Sequence, residues 1–230
     1  MSVNRPSSAA VRWDLMSRNP ARLSGRNPEP PPRSIRAYTR IELDALAADM
    51  TTAYEPLPAF AAATGLRPEE WVALERRDLD RKAGIVTVSR TVSDGIVVEL
   101  GKTSKSRRQV PLSRRASAAL DALPPRLDTP LLYPAPEGGL LDLDNFRRRE
   151  WAVAVKASGI AKPARIYDLR STFASNALAA GVTVFELARV MGTSVRMIER
   201  HYGALLDGAH NVIASRLDAF EAELEKAAGE

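Results

Sequence analysis

The sequence predicts an α+β fold that is mainly helical and contains one small antiparallel sheet of three strands. Helix signals recur before residue 80 and again after residue 113, where apolar residues return with helical spacing. The segment between them alternates apolar and polar residues, as the strands of a half-buried sheet do. Hydrophobic residues make up 45% of the chain, which is enough for a packed core and excludes wholesale disorder.

Residues 1–38 are expected to form an arginine-rich arm or linker. The segment 1–40 holds eight arginines against two acidic residues. Prolines near 20, 28 and 30–32 favour extended backbone, so only a short helix is expected, near residues 10–16. The compact domain is expected to begin at Thr39 and to cover residues 39–208, because Thr39 and Glu42 have the spacing of a capping box.

The order of the remaining elements follows from caps, turns and apolar spacing. Helices are predicted over about 53–63, from Pro68, and over about 142–158, 168–180, 183–191 and 194–202. Strands are predicted at 85–88, 96–100 and 109–112, the last at a sheet edge because Pro111 interrupts it. A final helix within 209–230 carries one apolar stripe, formed by Ile213, Leu217, Phe220 and Leu224.

The composition excludes several classes of protein. The chain has no cysteine, which rules out disulfides, thiolate catalysis and cysteine-ligated zinc, and only two histidines, which argues against a histidine-rich metal site. No run of apolar residues is long enough to span a membrane, and the N-terminus lacks the apolar segment of a secretory signal. A soluble cytoplasmic protein is therefore expected, without a metal or cofactor.

The positive charge is clustered. The net charge is +5, to which the segment 1–40 contributes +6 and the segment 41–230, with 25 basic and 26 acidic side chains, contributes −1. Within that near-neutral body, the stretch 102–115 holds six basic side chains and no acidic one. Such clusters indicate a polyanionic partner, most often nucleic acid, although a solvated charged face is the alternative.

Three stretches combine local structure signals with charged or nucleophilic residues. Arg67 lies between a glycine turn and a helix start, where backbone N–H groups and a guanidinium can hold a phosphate. Residues 101–108 form a lysine-bearing loop between two strands, and residues 165–203 include Arg170 and Tyr202. Taken singly, each stretch also fits an ordinary role: a capping arginine, a charged hairpin loop, or a half-buried packing tyrosine.

Together the three stretches resemble the catalytic domain of the tyrosine recombinases, the phage integrase family. The resemblance covers about residues 39–206, and its order and spacing agree with the family. The matching motifs are Thr-Gly-Leu-Arg-x-x-Glu at 64–70, a Lys-Thr hairpin followed by Arg-Arg-x-Val-Pro-Leu, Asp-Leu-Arg-x-Thr-Phe-Ala-Ser at 168–175, Ala-Gly-Val at 180–182, Met-Gly-Thr-Ser at 191–194, and Tyr202.

The resemblance implies a site-specific DNA recombinase that cuts and rejoins DNA through a 3′-phosphotyrosyl bond. By resemblance, Tyr202 is the nucleophile, and Arg67 and Arg170 bind the two non-bridging oxygens of the scissile phosphate. Lys102 matches the general acid for the leaving 5′-oxygen, and Glu70 the carboxylate that supports the site. The covalent intermediate conserves the bond energy, so no ATP is required.

Two positions depart from the family pattern. Tyr167 stands where the family usually has histidine, and Thr193 where it usually has histidine or tryptophan. Both are retained as candidate catalytic residues, since each can still form hydrogen bonds. Tyrosine is a poor base at neutral pH, so an active or weakly active enzyme is expected. His201 is not assigned the role of the base.

The expected partner is double-stranded DNA. The candidate contacts outside the catalytic set are Lys105, Arg107, Arg108 and Arg165. The resemblance implies a homotetramer on two DNA sites, with a monomer away from DNA and a location on the nucleoid. The helix within 209–230 is expected to dock either on its own subunit or on a neighbour. The family usually has a separate core-binding domain before the catalytic one. Residues 1–38 are a candidate remnant of it, because the stretch from Trp13 to Pro20 resembles its tail, so the chain is expected to be truncated or naturally minimal.

Two other functions remain open from the sequence. One is a degenerate relative that binds DNA without cutting it and has a regulatory role. The other is a type IB topoisomerase, which shares the phosphotyrosyl chemistry but relaxes supercoiled DNA as a monomer without a specific site. The presence or absence of a covalent DNA adduct separates the first of these from a recombinase, and plasmid relaxation separates the second.

Overall fold

A computed structural model of the chain describes residues 9–19, 35–100, 107–203, 215, 218–222 and 224–225. The chain divides into two compact units, Met1–Arg33 and Ser34–Glu230. In the first unit, residues 9–12 are helical, which is shorter than the helix expected near 10–16. The elements below belong to the second unit, where helices predominate around a small antiparallel sheet, so the predicted fold class is confirmed.

The second unit begins before Thr39. Tyr38 is only 3% exposed, its backbone N–H donates to Thr172 Oγ1 at 2.8 Å, and its ring lies edge-on to Trp151. The buried contacts of this unit thus include the residue just before the predicted helix cap. Helix α1 (Arg40–Ala48) does begin at the predicted capping box of Thr39 and Glu42.

Helices α2 (Leu57–Thr64) and α3 (Pro68–Trp71) lie on either side of a tight turn. α2 starts four residues later than expected, because Pro56 and Pro58 lack backbone N–H groups and fit only at a helix start. It ends at Gly65, whose φ is +64° and whose position leaves no room for a Cβ: one placed there would lie 2.3 Å from Phe173 Cδ1.

The sheet has three antiparallel strands in the order β1 (Leu79–Asp80), β2 (Ile85–Val88) and β5 (Arg108–Pro111). Val86 lies opposite Val110 in the centre of the sheet, and both are fully buried. The strand that contains Pro111 lies at the edge, as predicted.

The strand at 96–100 does not join this sheet as expected. It forms a separate hairpin, β3 (Arg90–Ser93) with β4 (Ile96–Glu99), closed by Asp94 and Gly95. Both turn residues have positive φ, 51° and 75°, which suits the twist of a two-residue hairpin. The third strand of the sheet is instead Leu79–Asp80, which is too short to give a sequence signal.

The remaining helices complete the unit. α4 (Arg114–Asp121) follows the sheet, and a continuous helix then runs through α5 (Leu143–Phe146), a π-helical segment (Arg147–Trp151) and α6 (Ala152–Ala157), close to the predicted 142–158. Three helices follow, near their predicted positions: α7 (Asp168–Ala179), α8 (Val184–Met191) and α9 (Val195–Tyr202). The predicted capping box of Thr183 and Glu186 starts α8.

Two apolar clusters hold these elements. In the larger, the Trp71 ring lies edge-on to Tyr133 and Phe146, with centroids 5.9 Å away in both cases. Because Trp71 ends the four-residue helix α3, this core also fixes Arg67 and Glu70. The smaller cluster joins α7, α8 and α9 and includes Tyr202.

The end of the chain is described only in part. Residues 215, 218–222 and 224–225 are helical, in agreement with the helix expected there, and Phe220 and Leu224 are 58% and 54% exposed. Ile213 and Leu217, the other two members of the predicted stripe, lie outside the described residues. Among the residues described, no helix is long and apolar enough to cross a membrane.

Candidate active site

Three arginines converge on the C-terminus of α8. Arg108 Nε donates to the carbonyl of Val190 at 2.7 Å, and Arg67 Nη2 donates to that of Gly192 at 2.8 Å. Arg170 Nη2 donates to the carbonyl between them, that of Met191, at 2.6 Å. These carbonyls lie at the negative end of the helix dipole and lack partners within the helix. The helix end therefore offers three adjacent acceptors, and a different arginine binds each.

Glu70 is the carboxylate at the centre of this cluster. Its Oε1 accepts from Nη1 of Arg67 and Nη1 of Arg108, both at 2.8 Å. Its Oε2 accepts from the backbone N–H of Arg67 at 2.8 Å and from Arg108 Nη2 at 2.6 Å. Burial alone would raise the pKa of Glu70, but these bonds and charges outweigh it and hold the pKa below its ordinary range.

Arg170 is the most deeply buried of the three arginines, at 3% exposed. Its guanidinium donates to the carbonyls of Gly65 and Met191, and these two hydrogen bonds link the end of α2 to the end of α8. Burial, together with the nearby charge of Arg67, lowers the pKa of Arg170 to about 10. Three guanidinium groups thus surround one carboxylate, and the excess of positive charge makes the cluster suited to an anion.

Tyr202 lies at the end of α9, beside Arg170. Its hydroxyl is 3.4 Å from Ser171 Oγ, and the residue is only 7% exposed. Burial raises the pKa of Tyr202 above its ordinary value, an effect that Ser171 and Arg170 partly offset. The phenol is therefore protonated at neutral pH. Ser171 is a member of this site that the sequence did not reveal, because its partner lies on a different helix, far along the chain.

The two departures from the family pattern lie at the edge of this cluster. Tyr167 is 50% exposed and directly precedes α7, within electrostatic reach of Arg170 and Tyr202. Thr193 is half-buried in the turn between α8 and α9. The structure therefore brings five of the six predicted catalytic residues, Arg67, Tyr167, Arg170, Thr193 and Tyr202, to one region. Lys102 lies outside the described residues.

The four expected DNA contacts separate into different environments. Lys105 lies outside the described residues. The side chain of Arg107 is 54% exposed, 3.5 Å from Glu99, and that of Arg165 is 41% exposed and pairs with the buried Asp168 at 2.8 Å. Arg108 differs from both, because its side chain is only 7% exposed and faces Glu70 rather than solvent. Its placement does not match the expected DNA contact.

The phage integrase family profile matches residues 43–208 of the chain. The chain belongs to the phage integrase family. The integrase of Mycobacterium phage FRAT1 is 30% identical over an alignment of 206 positions, which covers 84% of this chain and 61% of that protein. The integrase of Mycobacterium phage L5 is 29% identical over a stretch that covers 84% of this chain and 54% of that protein. The chain thus spans little more than half the length of these relatives.

Solved structures show that the fold is that of the family. The Tn1549 transposon integrase in complex with a circular intermediate DNA has a TM-score of 0.70 at 18% identity, covering 93% of this chain and 75% of that one. A lambda integrase tetramer bound to a Holliday junction has a TM-score of 0.59 at 16% identity, covering 81% of this chain and 55% of that one. At these identities the likeness is one of fold.

Proposed function

We propose that the chain is a tyrosine-type, site-specific DNA recombinase that breaks and rejoins double-stranded DNA. The observation that carries the proposal is that a buried tyrosine hydroxyl lies beside a cluster of three guanidinium groups and one carboxylate. Tyr202 lies one hydrogen bond from Ser171, which directly follows Arg170 on α7. A phosphodiester is an anion that requires both a nucleophile and stabilisation of the charge on its oxygens.

In the proposed reaction, the oxygen of Tyr202 forms a bond to phosphorus as the bond from phosphorus to the 5′-oxygen breaks. Arg67 and Arg170 bind the two non-bridging oxygens, whose charge grows in the transition state. Their guanidinium groups are already oriented by Gly192, Gly65 and Met191, so little reorganisation is needed when the phosphate arrives.

Two protons move in this step. Tyr202 loses its proton to water at or before attack, and the leaving 5′-oxygen gains one from Lys102, in the role that the family resemblance gives it. Rejoining is the reverse process, in which a 5′-hydroxyl attacks the phosphotyrosine and releases Tyr202. Tyr167 and Thr193 are proposed as further hydrogen-bonding groups around the phosphate, with less capacity than the family's usual residues.

The proposed partner is duplex DNA, on the nucleoid, with four copies of the chain on two sites. Lys105, Arg107 and Arg165 are the proposed contacts beyond the catalytic set. The family membership of the chain and the surplus charge of the arginine cluster support this assignment. The linking of subunits through the segment at 209–230 belongs to the same proposal.

The covalent adduct tests the proposal directly. A pool of duplex oligonucleotides with randomised sequence is nicked so that cleavage releases a short fragment and traps the enzyme on DNA. The wild-type chain is expected to form an adduct that survives denaturing electrophoresis, and Tyr202→Phe is expected to form none. Sequencing of the trapped DNA then gives the target site.

A second substrate separates the role of Lys102 from that of Tyr202. If the bridging 5′-oxygen is replaced by sulfur, the leaving thiolate needs no proton, because a thiol has a pKa of about 8.5. Lys102→Ala is expected to be inactive on the oxygen substrate and active on the sulfur substrate, while Tyr202→Phe fails on both. Binding without any adduct would favour the degenerate DNA-binding relative, and relaxation of plasmid without site preference would favour the topoisomerase.

A further inference from the structure

We propose that Arg108 is a positioning residue, which holds Glu70 and thereby Arg67 in the geometry that the cleavage step needs. This inference rests on the proposed function, and it assigns to Arg108 a role other than the direct DNA contact expected from its sequence. The observation behind it is the pair of hydrogen bonds that join the guanidinium of Arg108 to the carboxylate of Glu70.

The geometry of this pair is specific to arginine. Nη1 and Nη2 of Arg108 each donate to a different oxygen of Glu70, at 2.8 and 2.6 Å, while Nε donates to the Val190 carbonyl. The side chains of both partners are less than a tenth exposed, at 7% and 4%. A planar fork with donors on two sides can form these three bonds at once, whereas a lysine ammonium cannot.

Glu70 is shared between two arginines, and this sharing gives Arg108 its effect. Each carboxylate oxygen accepts one bond from Arg67 and one from Arg108. Without Arg108, Glu70 loses half of these bonds and is free to turn towards the guanidinium of Arg67. A closer pairing there would neutralise the charge that Arg67 offers to a phosphate and would change its direction.

Arg108 also connects this carboxylate to two other parts of the site. It is the first residue of β5, and in the sequence it follows the stretch 101–106 that carries Lys102. Its side chain packs so closely on Gly192 that a Cβ there would lie 3.0 Å from Arg108 Cδ. The sheet, the end of α8 and the centre of the arginine cluster are therefore joined through one side chain.

The test compares Arg108→Lys with two other arginine variants in the full chain. The first readout is the rate of adduct formation at saturating protein on the nicked duplex recovered from the randomised pool. The second is the salt dependence of binding to that duplex. Arg108→Lys is expected to lower the adduct rate on the order of 10²-fold, because a small misplacement of a charge-stabilising group has about that effect. Its salt slope is expected to remain that of the wild type.

The two control variants are expected to differ from Arg108→Lys in different ways. Arg126→Lys disrupts a bidentate ion pair with Asp128 that lies outside the cluster. The adduct rate of this variant is therefore expected to be unchanged. Arg107→Gln removes the exposed neighbour of Arg108, and its salt slope is expected to fall by about one, as for a lost phosphate contact. If Arg108→Lys instead gives that signature with a normal adduct rate, the positioning role is wrong and Arg108 contacts DNA.

A double-mutant comparison covers the case in which Arg108→Lys does not fold. Glu70→Gln and Arg108→Gln together leave neither charge buried alone, and circular dichroism reports whether this variant is folded. Its adduct rate is expected to be as low as that of Glu70→Gln alone, because both changes act through one arrangement. Independent losses that multiply would overturn the inference.

A measurement without DNA distinguishes failure of this inference from failure of the proposed function. Sulfate carries the charge and tetrahedral shape of a phosphate, and thermal unfolding reports its binding. The wild type is expected to gain stability at low sulfate concentration, as specific binding requires, and Arg108→Lys is expected to show only the general stabilisation at high sulfate that both proteins share. If no adduct forms in the wild type, the recombinase proposal fails. Equal sulfate stabilisation of both proteins would refute the role of Arg108 separately.

Discussion

At the scale of single residues, the burial of the Tyr202 hydroxyl opposes its proposed role as the nucleophile. Burial raises the pKa of Tyr202, so the nucleophile is held in its unreactive, protonated form. The hydroxyl of Ser171 and the guanidinium of Arg170 counter this effect and lower the pKa of Tyr202. Small polar changes beside Tyr202 are therefore expected to change the pH dependence of cleavage.

Ser171→Ala is the first such change. The hydroxyl of Ser171 lowers the pKa of Tyr202, so its removal is expected to raise that pKa and to move the rise of the adduct rate to higher pH. At neutral pH we expect a loss of roughly 10-fold, the effect of losing one hydrogen bond of about 1.4 kcal/mol. Ser175→Ala, one turn further along α7, is the control and should leave the pH profile in place. Coincident profiles for Ser171→Ala and wild type would contradict the role of Ser171.

Tyr167→His restores the residue type usual in the family. Tyr167 is half exposed, so an imidazole fits without repacking, and its ordinary pKa near 6.5 allows proton transfer near neutral pH. We expect the adduct rate at pH 7 to rise by about 10-fold, below the usual range of 10²–10⁴ for general acid–base catalysis because the site has adapted to tyrosine. Tyr167→Phe should show no rise. Equal rates for histidine and phenylalanine would show that position 167 takes no part in proton transfer.

At the scale of secondary structure, the close approach of α2 and α7 depends on Gly65. This residue ends α2 with φ of +64°, and its carbonyl accepts a hydrogen bond from Arg170. The ring of Phe173 occupies the space that any larger side chain at position 65 would need. The turn that leads to Arg67 is thus shaped by backbone conformation and by steric exclusion together.

Gly65→Ala is expected to be strongly destabilising, and Gly84→Ala provides a matched control. Gly84 has nearly the same φ, +67°, but a Cβ placed there would meet no atom within 4 Å, so it incurs only the conformational cost of about 1–2 kcal/mol. Gly65→Ala adds the clash with Phe173, for a further cost of roughly 1–3 kcal/mol. Urea unfolding measures the difference. Equal losses at the two positions would show that the Phe173 ring moves aside freely.

The elements predicted well are those defined by neighbouring residues. The capping boxes at Thr39 and Thr183 and the turn at Asp94-Gly95 depend on contacts within four positions, so their signals are complete in the sequence. The pairing of strands in the sheet is different. β2 pairs with two strands, and the alternation of apolar and polar residues along β2 does not identify either partner. Arg108 shows the same limit in the site: its charge suggests DNA, and only its long-range pairing with Glu70 reveals another use.

At the scale of the complete protein, buried tyrosines determine the response to alkaline pH. The hydroxyl of Tyr54 donates to the carbonyl of Pro134, and burial raises the pKa of Tyr54 to about 12. Burial also raises the pKa values of Tyr38, Tyr133 and Tyr202. A group whose pKa is raised by folding contributes its full stability below its unfolded pKa, near 10, and loses it as the pH rises through the folded value.

The free energy of unfolding is therefore expected to fall above pH 10. Tyr54 alone accounts for a loss of about 2.7 kcal/mol, from two pKa units at 1.36 kcal/mol each. Arg170, with a pKa of about 10, and Arg115, whose pKa burial also lowers, work in the opposite direction, but they are two groups against four tyrosines. Denaturant unfolding at pH 8 to 12 measures the effect. Tyr54→Phe should show a shallower fall than wild type, and identical slopes would rule out a contribution of Tyr54.

Residues 1–33 are expected to supply much of the non-specific affinity for DNA. They contain six of the eight arginines of the segment 1–40, and each phosphate contact contributes about −0.9 to the slope of log affinity against log salt. Deletion of this segment should lower the slope by several units, measured by fluorescence anisotropy on a duplex. Replacement of the six arginines by glutamine in the full chain is the control, and an unchanged slope in both would place DNA affinity elsewhere.

The three carbonyls at the end of α8 have a consequence for the nucleophile. They are followed at once by the turn that starts α9, and Tyr202 is the last residue of that helix, whose N-cap is Ser194. Arg67 and Arg170, the two arginines proposed to bind the phosphate, also bind the Gly192 and Met191 carbonyls at this helix end, so a bound phosphate would be linked to α9 through them. Binding of the phosphate and placement of the Tyr202 hydroxyl would then depend on the same helix end, so that a change there would affect both together.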